Sequence, residues 1–377
     1  MKLTNKEIER YGRHLLLPEI GEEGQLKLKN AKVLIVGVGG LGSPVAIYLA
    51  TAGVGTLGLI DFDKVELSNL HRQVIHFTDD IGKQKVISAK EKISQLNPEV
   101  KTVIYETRFS ADNALKVIKD FDLVIDGSDN FPTRYLINDA CVLSGKPYVF
   151  GGIFRFEGQC SVFGLSDGPC YRCFFEEPPK PGEVPSCAEA GVIGVLPGII
   201  GILQAQEAIK FICGIGEPLK GRLLMFDGLS TSFREIKIKK NFNCAICGPK
   251  RTIHKLTEAK GACEVNLNID VPEITVQELK KKLDKNAKSV YLIDVREQEE
   301  WDIVHIPGAR LKPISNFENN YADIPKDTTV YFHCGGGGRS KRAIKFLKDK
   351  GYTNELVNVK GGVNAWAKEI DPKMPRY

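Results

Sequence analysis

The sequence predicts an α/β protein of two domains joined by a polar linker, and three observations support this prediction. Residues 33–36 form an apolar strand, followed by glycines spaced G-x-G-x-x-G and a helical pattern, the order typical of a nucleotide-binding unit. Beyond residue 263, strand-like runs alternate with amphipathic ones, which indicates a small, largely parallel sheet. The polar segment after Pro249 separates the two patterns, so we predict domains at 1–248 and 263–377 and a linker at 249–262.

Composition places few limits on function. The net charge of +5 comes from 52 basic and 47 acidic residues, a weak signal for nucleic acid. The start of the chain is polar and charged, so we expect no signal peptide and a cytoplasmic protein whose ten cysteines stay reduced. The apolar segment 191–203 is too short for a membrane span, and it predicts a buried helix beginning near Pro197.

The glycine loop of the first domain predicts a phosphate site. Gly37, Gly39 and Gly42 bring backbone close to a helix N-terminus, where N–H groups and the helix dipole favour an anion. Asp61 ends the next strand, TLGLIDFD, where an acidic residue can hold a ribose hydroxyl. On these residues alone, a dinucleotide such as NAD fits as well as ATP.

Charged residues after the next strands favour a nucleoside triphosphate. Arg72 and Lys85 follow the ribose site, and cations are needed where pyrophosphate leaves with growing negative charge. Asp126 and Asp129 follow the apolar strand in FDLVIDGSDN, where a carboxylate can hold Mg²⁺. An NAD-dependent oxidoreductase remains the alternative.

Two Cys-x-x-Cys pairs predict a metal site. Cys170 and Cys173 form one pair and Cys244 and Cys247 the other, and four thiolates are a typical structural zinc site. A redox pair is the alternative. Cys187 follows a proline-rich segment that suggests a mobile loop across the active site, so it is either a transient sulfur ligand or a structural thiol.

The stretch HCGGGGRS predicts a reactive cysteine. Cys334 lies between a strand and a helix, so the helix N-terminus and Arg339 should favour its thiolate. The glycines can turn their N–H groups toward an anion. Cysteine phosphatases have five residues between cysteine and arginine, whereas this loop has four, a cradle sized for one extra sulfur atom.

Longer stretches identify two families. RYGRHLLLPEIG, GVGGLGS, DFDKVELSNLHRQ, IGKQK, DGSDN and CAEAGVIGVLPG resemble the adenylyltransferases that activate ubiquitin-like sulfur carriers in molybdopterin-synthase and thiamine synthesis. YLIDVREQEEW, HIPGA and KGGVNAW resemble rhodanese sulfurtransferases, which carry a cysteine persulfide. The resemblance implies a Rossmann-like domain with a mixed sheet, followed by a smaller α/β rhodanese domain.

The resemblance also implies cofactors and residue roles. It implies ATP, Mg²⁺ on Asp129, zinc on the four paired cysteines, and a homodimer in which Arg13 reaches the other subunit's nucleotide. The implied nucleotide contacts are Arg13, Gly37, Gly39, Gly40, Gly42, Asp61, Asp63, Asn69, Arg72, Lys85, Asp129 and Asn130. The implied catalytic residues are Arg72, Asp129, Cys187, Cys334 and Arg339, with Asp294 ordering the sulfur loop.

Together the two families predict one reaction sequence. The first domain would adenylate the C-terminal glycine of a ubiquitin-like carrier ending in Gly-Gly, and a Cys334 persulfide would convert it to a thiocarboxylate. A cysteine desulfurase is the expected sulfur donor, and no membrane or direct nucleic-acid partner is expected. Alternatives are a docking protein with an idle Cys334, and adenylation in protein conjugation or on tRNA.

Overall fold

The computed structural model describes residues 2–179, 190–258 and 271–376. The chain divides into two compact units, Met1–Glu264 and Val265–Tyr377. Cys187 and residues 259–262 of the predicted linker lie outside the described residues.

The first unit is built on an eight-stranded mixed sheet with the order β3-β2-β1-β4-β5-β6-β7-β8. The first five strands in this order run parallel, and β5 to β8 are antiparallel neighbours. This confirms the predicted Rossmann-like domain with a mixed sheet. The strands are β1 (Lys32–Val36), β2 (Thr56–Ile60), β3 (Lys101–Tyr105), β4 (Leu123–Asp126), β5 (Tyr148–Phe154), β6 (Glu157–Phe163), β7 (Arg222–Asp227) and β8 (Ser232–Lys237).

Seven described helices accompany this sheet. They are α1 (Asn5–Leu15), α2 (Gly21–Asn30), α3 (Gly42–Thr51), α4 (Lys85–Leu96), α5 (Ala114–Ile118), α6 (Phe131–Ser144) and α7 (Leu196–Cys213). Strands β1 and β4 are almost wholly buried, because helices cover both faces of a parallel sheet and leave no polar face. Two apolar clusters fill the two sides.

Helix α7 is the predicted apolar helix, with Pro197 in its first turn. Among the described helices it alone is long and apolar enough to cross a membrane, a property that buried core helices share. It packs on β5, β6 and α3. A Cβ on Gly201 would lie 2.6 Å from the Leu41 carbonyl oxygen, and one on Gly158 would lie 2.3 Å from the Ile200 Cδ1, so glycines permit this close packing.

The second unit is a five-stranded, all-parallel sheet with the order β11-β10-β12-β13-β9. Its strands are β9 (Glu273–Ile274), β10 (Tyr291–Asp294), β11 (Ala309–Leu311), β12 (Val330–His333) and β13 (Leu356–Val359). Its helices are α8 (Val276–Asn286), α9 (Gln298–Ile303), α10 (Gly338–Asp349) and α11 (Gly362–Glu369). The smaller α/β domain with a parallel sheet is thereby confirmed.

The described part of the predicted linker packs against the first unit. The backbone N–H groups of Thr252 and Ile253 both donate to the Ala245 carbonyl oxygen, at 2.8 and 2.9 Å. Farther along, the Glu258 carboxylate accepts from the Ala111 N–H at 2.8 Å. Residues 252–258 are therefore attached to the nucleotide-binding unit, while the predicted domain boundaries remain a prediction.

Substituting Gly42 tests the packing of the glycine loop. We expect Gly42→Ala to lower the free energy of unfolding of the first unit by about 1–3 kcal/mol, because its Cβ would overlap the Gly37 carbonyl. Calorimetry of the full chain measures this. Tryptophan fluorescence separates the two units, because both tryptophans, Trp301 and Trp366, belong to the second.

Gly198→Ala is the matched control for Gly42→Ala. Nothing lies within 4 Å of a Cβ at this helical position, so this change should be neutral or stabilise by about 0.4–1 kcal/mol. Equal effects of the two substitutions would contradict the packing argument.

Candidate active sites

The glycine loop between β1 and α3 is held by backbone contacts that exclude side chains. Gly37 has φ +91°, and a Cβ there would lie 2.7 Å from the Gly127 carbonyl oxygen. A Cβ on Gly42 would lie 2.0 Å from the Gly37 carbonyl oxygen. Gly37 is thus required for the turn, and Gly42 for the close packing of helix on strand.

A cleft opens beside this loop at the carboxyl ends of β1, β2 and β4, where α/β sheets bind ligands. Nine of the predicted nucleotide contacts line it: Gly37, Gly39, Gly40, Asp61, Asp63, Arg72, Lys85, Asp129 and Asn130. The structure therefore places predicted residues from four separate sequence segments on one surface.

Asp61 is anchored by backbone donors. Its carboxylate accepts from the Val38 N–H at 2.8 Å and from the Asp63 N–H at 2.9 Å. Burial raises the pKa of Asp61 above its ordinary value, and the charge of Lys85 opposes this. The carboxylate is therefore fixed in orientation at the end of β2, with acceptor capacity left for a ribose hydroxyl.

The cations of the cleft have protein partners. The Lys85 ammonium lies 2.9 Å from an Asp63 carboxylate oxygen, and its side chain is buried. Arg72 donates from Nη1 to the Ser68 carbonyl at 3.0 Å. Lys85 and Arg72 are therefore held in place at the cleft by groups of the protein itself.

Sequence reasoning missed Arg108. Its guanidinium lies 4.8 Å from the centre of the Phe62 ring, and both residues line the cleft. Arg108 follows β3, the next strand to end at this edge of the sheet. Its position after a strand end was the sequence feature that could have indicated a place in the cleft. Arg108 adds a third positive charge to the cleft.

The two predicted carboxylates after β4 differ in environment. Asp129 lines the cleft and is exposed. Asp126 is fully buried, accepts from the Ser128 hydroxyl at 2.5 Å, and burial raises its pKa. Asn130 caps α6, because its side-chain oxygen accepts from the Thr133 N–H at 3.0 Å. Asp129 is therefore the carboxylate of this pair that borders the ligand space.

Three predicted nucleotide contacts do not line the cleft of the single chain. Gly42 packs under the loop, and Asn69 accepts from the Glu66 N–H at 3.1 Å, inside a turn. Arg13 is exposed on α1, and its predicted target is the other subunit's nucleotide. A contact from Arg13 therefore stays a prediction.

The four paired cysteines come together in the first unit. Their sulfur atoms all lie within 4.8 Å of one another, with Cys170 to Cys244 at 3.6 Å and Cys173 to Cys247 at 3.3 Å. Four sulfurs around zinc at about 2.3 Å stand roughly 3.8 Å apart. The described sulfurs are unbonded and close to that spacing, so the donor set fits a tetrahedral thiolate site.

Cys334 in the second unit directly follows β12, and three residues separate it from Gly338, the first residue of α10. Its side chain is 2% exposed, and its sulfur accepts from the Gly337 N–H at 3.0 Å. Gly337 has φ +107°, a conformation that favours glycine. The backbone therefore supplies a donor to this sulfur.

The other three glycines of the loop have room for side chains. A Cβ on Gly336 or Gly338 would meet nothing within 4 Å, and one on Gly335 would meet Arg339 at 3.6 Å. Packing therefore does not require these three glycines.

Arg339 differs in its environment from the expectation. Its guanidinium makes two bonds to the Glu300 carboxylate, at 2.5 and 2.7 Å. Burial acts to raise the pKa of Glu300, but the bonds from Arg339 outweigh it and the pKa is lowered. The positive charge expected to favour a Cys334 thiolate is thus largely balanced by Glu300.

Asp294 supports the loop indirectly. It is fully buried and binds the Arg296 guanidinium, with the shortest contact at 2.6 Å. Arg296 in turn donates to the Glu300 and Val304 carbonyls, at 3.3 and 2.7 Å. Asp294 thereby holds the segment that carries Glu300, and Glu300 holds Arg339.

The fold and both sites define the class of protein. The chain belongs to the ThiF family, whose model matches residues 11–246, and it carries a rhodanese-like domain at residues 275–369.

Named relatives share one or both parts. A protein called probable adenylyltransferase/sulfurtransferase MoeZ, from Mycobacterium tuberculosis, is 46% identical over 100% of this chain and 96% of its own length. The sulfur carrier protein adenylyltransferase of Thermus thermophilus is 50% identical, covering 70% of this chain and 99% of itself. The crystal structure of MccB with ATP, from Escherichia coli, has a TM-score of 0.56 at 25% identity, covering 65% of this chain and 75% of that one.

Glu300→Gln tests the pairing that holds the sulfur loop. We expect it to lower the free energy of unfolding of the second unit by about 2 kcal/mol at neutral pH, because a charge-assisted pair is lost. The lowered pKa of Glu300 means that this stabilisation is present above its ordinary pKa, about 4.3, and is lost as the pH falls through the folded value. Denaturation followed by tryptophan fluorescence should show the difference shrinking in acid. Glu299→Gln, at an exposed neighbour, should show none.

Proposed function

We propose that this chain uses ATP to adenylate the C-terminal glycine of a ubiquitin-like sulfur carrier ending in Gly-Gly, and then transfers sulfur to it from a Cys334 persulfide. The observation that carries this proposal is the presence, on one polypeptide, of a cation-lined nucleotide cleft and a cysteine on a bare glycine loop. The family and the names of its relatives support both activities.

Adenylation makes the carrier carboxylate reactive. A carboxylate oxygen attacks the α-phosphorus of ATP, a new P–O bond forms, and the bond to pyrophosphate breaks. Lys85, Arg72 and Arg108 line the space in which negative charge grows on the leaving group, and fixed cations stabilise such charge. Asp61 would hold the ribose, anchored by the N–H groups of its neighbours.

Asp129 is the proposed Mg²⁺ ligand. Mg²⁺ is usually held by one or two carboxylates together with substrate phosphates, and Asp129 is the exposed carboxylate that borders the cleft. When bound, Mg²⁺ neutralises charge on the phosphates.

Sulfur transfer follows at the activated carboxyl group. The terminal sulfur of the Cys334 persulfide attacks the acyl carbon and AMP leaves, which gives an acyl disulfide on Cys334. Two thiols then reduce this bond, which releases the carrier thiocarboxylate, returns Cys334 to a thiol and leaves the two reducing thiols joined as a disulfide. Cys187 is the proposed source of one of these thiols. Because both activities belong to one chain, the linkage raises the local concentration of the sulfur nucleophile.

The proposed partners rest on the resemblance. A cysteine desulfurase would charge Cys334, a homodimer would place Arg13 near the nucleotide of the other subunit, and the reactions would take place in the cytoplasm.

The reaction is tested with ATP, Mg²⁺, a persulfide donor and carriers ending in Gly-Gly. We expect mass spectrometry to find oxygen replaced by sulfur at the carrier terminus. Cys334→Ala should abolish this product yet keep carrier-dependent exchange of labelled pyrophosphate into ATP. Product formation by Cys334→Ala would contradict the proposed sulfur route.

A second variant tests the cleft. Lys85→Met should slow the exchange by about 10²–10³-fold, as loss of a preorganised charge does in other active sites. Lys90→Met, at an exposed position on the same helix, is the control and should exchange at the normal rate. Normal exchange by Lys85→Met would contradict the assignment of this cleft.

Zinc bound by Cys170, Cys173, Cys244 and Cys247 is also proposed, as a structural metal. We expect one zinc per chain by elemental analysis, its loss in Cys244→Ser, and a melting temperature of the first unit lower by several degrees. Cys213→Ala removes a buried thiol outside the cluster and should keep the metal. Full zinc content in Cys244→Ser would contradict the site.

A further inference from the structure

A hydrogen-bonded series of polar side chains leads from the sulfur of Cys334 through two buried residues to the exposed Glu273. The Ser340 hydroxyl lies 3.6 Å from this sulfur and 2.6 Å from the Asn358 side-chain oxygen. The Asn358 amide nitrogen donates to Glu273 at 2.8 Å. Ser340 is 0% exposed and Asn358 is 1% exposed, so both are shielded from bulk water.

Glu273 fixes the direction of the hydrogen bonds between Asn358 and Ser340. An ionised carboxylate only accepts, so the Asn358 amide must turn its NH₂ group toward Glu273 and its oxygen toward Ser340. The pKa of Glu273 is lowered, with the bond from Lys341 as the main cause, so the carboxylate is ionised at neutral pH. Glu273, the member of the series farthest from Cys334, therefore determines which groups donate and which accept along it.

The Ser340 hydroxyl has a single proton, and two oxygen acceptors lie within hydrogen-bond distance of it. One is the Asn358 oxygen at 2.6 Å, and the other is the Gly337 carbonyl oxygen at 3.0 Å. No proton is left for the Cys334 sulfur, which therefore faces a lone pair of the serine oxygen. A lone pair in that position accepts from a thiol S–H and disfavours a thiolate.

We propose that Ser340 and Asn358 are positioning residues that hold the resting Cys334 sulfur as a protonated thiol. The sulfur then has one donor, the Gly337 N–H, and one acceptor, the Ser340 oxygen, and both fit a neutral S–H group. This proposal rests on the sulfur-transfer activity proposed above and adds a control on when the cysteine becomes a nucleophile.

The surrounding charges are paired and do not override this arrangement. Glu300 on α9 pairs with Arg339, Glu273 on β9 pairs with Lys341 at 2.9 Å, and Asp294 at the end of β10 pairs with Arg296. His333 precedes the cysteine, and burial lowers its pKa, so its ring is neutral at pH 7. Besides the N-terminus of α10, which favours a thiolate, the groups that set the field at the sulfur are its two hydrogen-bond partners, and of these the Ser340 oxygen opposes the thiolate.

In the proposed uptake of sulfur, the proton of the Cys334 thiol passes to the sulfur of the donor that leaves. The Cys334 sulfur attacks the terminal sulfur of a donor persulfide, a new S–S bond forms, and the donor's own S–S bond breaks. The proton released from Cys334 goes to the departing donor thiolate, so Cys334–SH and R–S–S⁻ become Cys334–S–S⁻ and R–SH. The step therefore needs no separate acid to protonate the departing donor thiol.

The test measures how fast iodoacetamide alkylates Cys334 in the full chain across pH, with the Cys334 peptide followed by mass spectrometry. We expect Ser340→Ala and Asn358→Leu both to move the midpoint of this profile to lower pH, by about 0.5–1 pH unit, the worth of one net hydrogen bond. Ser340→Thr keeps the hydroxyl and should restore the wild-type midpoint.

The sign of the shift decides between the two possible roles of Ser340. A midpoint moved to higher pH in Ser340→Ala would mean that the hydroxyl donates to a thiolate, and this result or an unchanged midpoint would overturn the proposal. Asn354→Ala is the control, because the Asn354 amide binds the Pro325 and Thr328 carbonyls away from Cys334. Tryptophan fluorescence checks that each variant is folded, and Ser340→Ala decides alone if Asn358→Leu is not. The assay needs neither ATP nor carrier, so its outcome is separate from that of the thiocarboxylate experiment.

Discussion

The first unit depends on backbone lying against backbone where β1 meets β4. The Gly37 carbonyl oxygen occupies the place where a side chain on Gly42 would stand, and Gly37 itself lies against Gly127. These contacts let α3 start directly over the end of β1, so that its N-terminus and the ends of the neighbouring strands face one space. Asp61 after β2 and Asp129 after β4 border that same space.

Both units place a glycine loop between a strand and a helix, but the charges around the two loops differ. In each, a strand ends in glycines and a helix begins, which presents backbone N–H groups to an anion. The nucleotide cleft adds cations at its border, which suits phosphate charge that grows during reaction. The sulfur loop pairs Arg339 with Glu300 and leaves the sulfur a nearly neutral setting. A terminal sulfur that must leave its site again gains from being held less strongly.

Local patterns predicted much of both sites, because each pattern reports a backbone requirement. The glycine spacing, Asp61 at a strand end, the cysteine pairs and the Cys334 loop were all found from short stretches, and the structure groups them. Arg339 and Glu300 lie 39 residues apart in sequence, and nothing local to Arg339 indicated that a carboxylate balances it.

Other residues needed the tertiary structure for similar reasons. Asn130 follows a strand end as a ligand residue would, yet its oxygen caps α6. Arg108 became visible as part of the cleft only when β3 was placed beside β2. The direction of the Ser340–Asn358 bonds depends on Glu273 from a strand far away in sequence. Hydrogen-bond polarity of this kind has no signature in a single sequence.

The open space around Gly335, Gly336 and Gly338 gives the sulfur loop an evolutionary freedom that the nucleotide loop lacks. New side chains at these three positions could grow outward without moving Gly337 or the N–H group that it offers to the sulfur. Lineages could narrow the range of molecules that reach Cys334 by single substitutions at this rim, while the chemistry beneath it stayed unaltered. With glycine at all three positions, the loop adds no side chains that would hinder the approach of an acceptor as bulky as a whole protein.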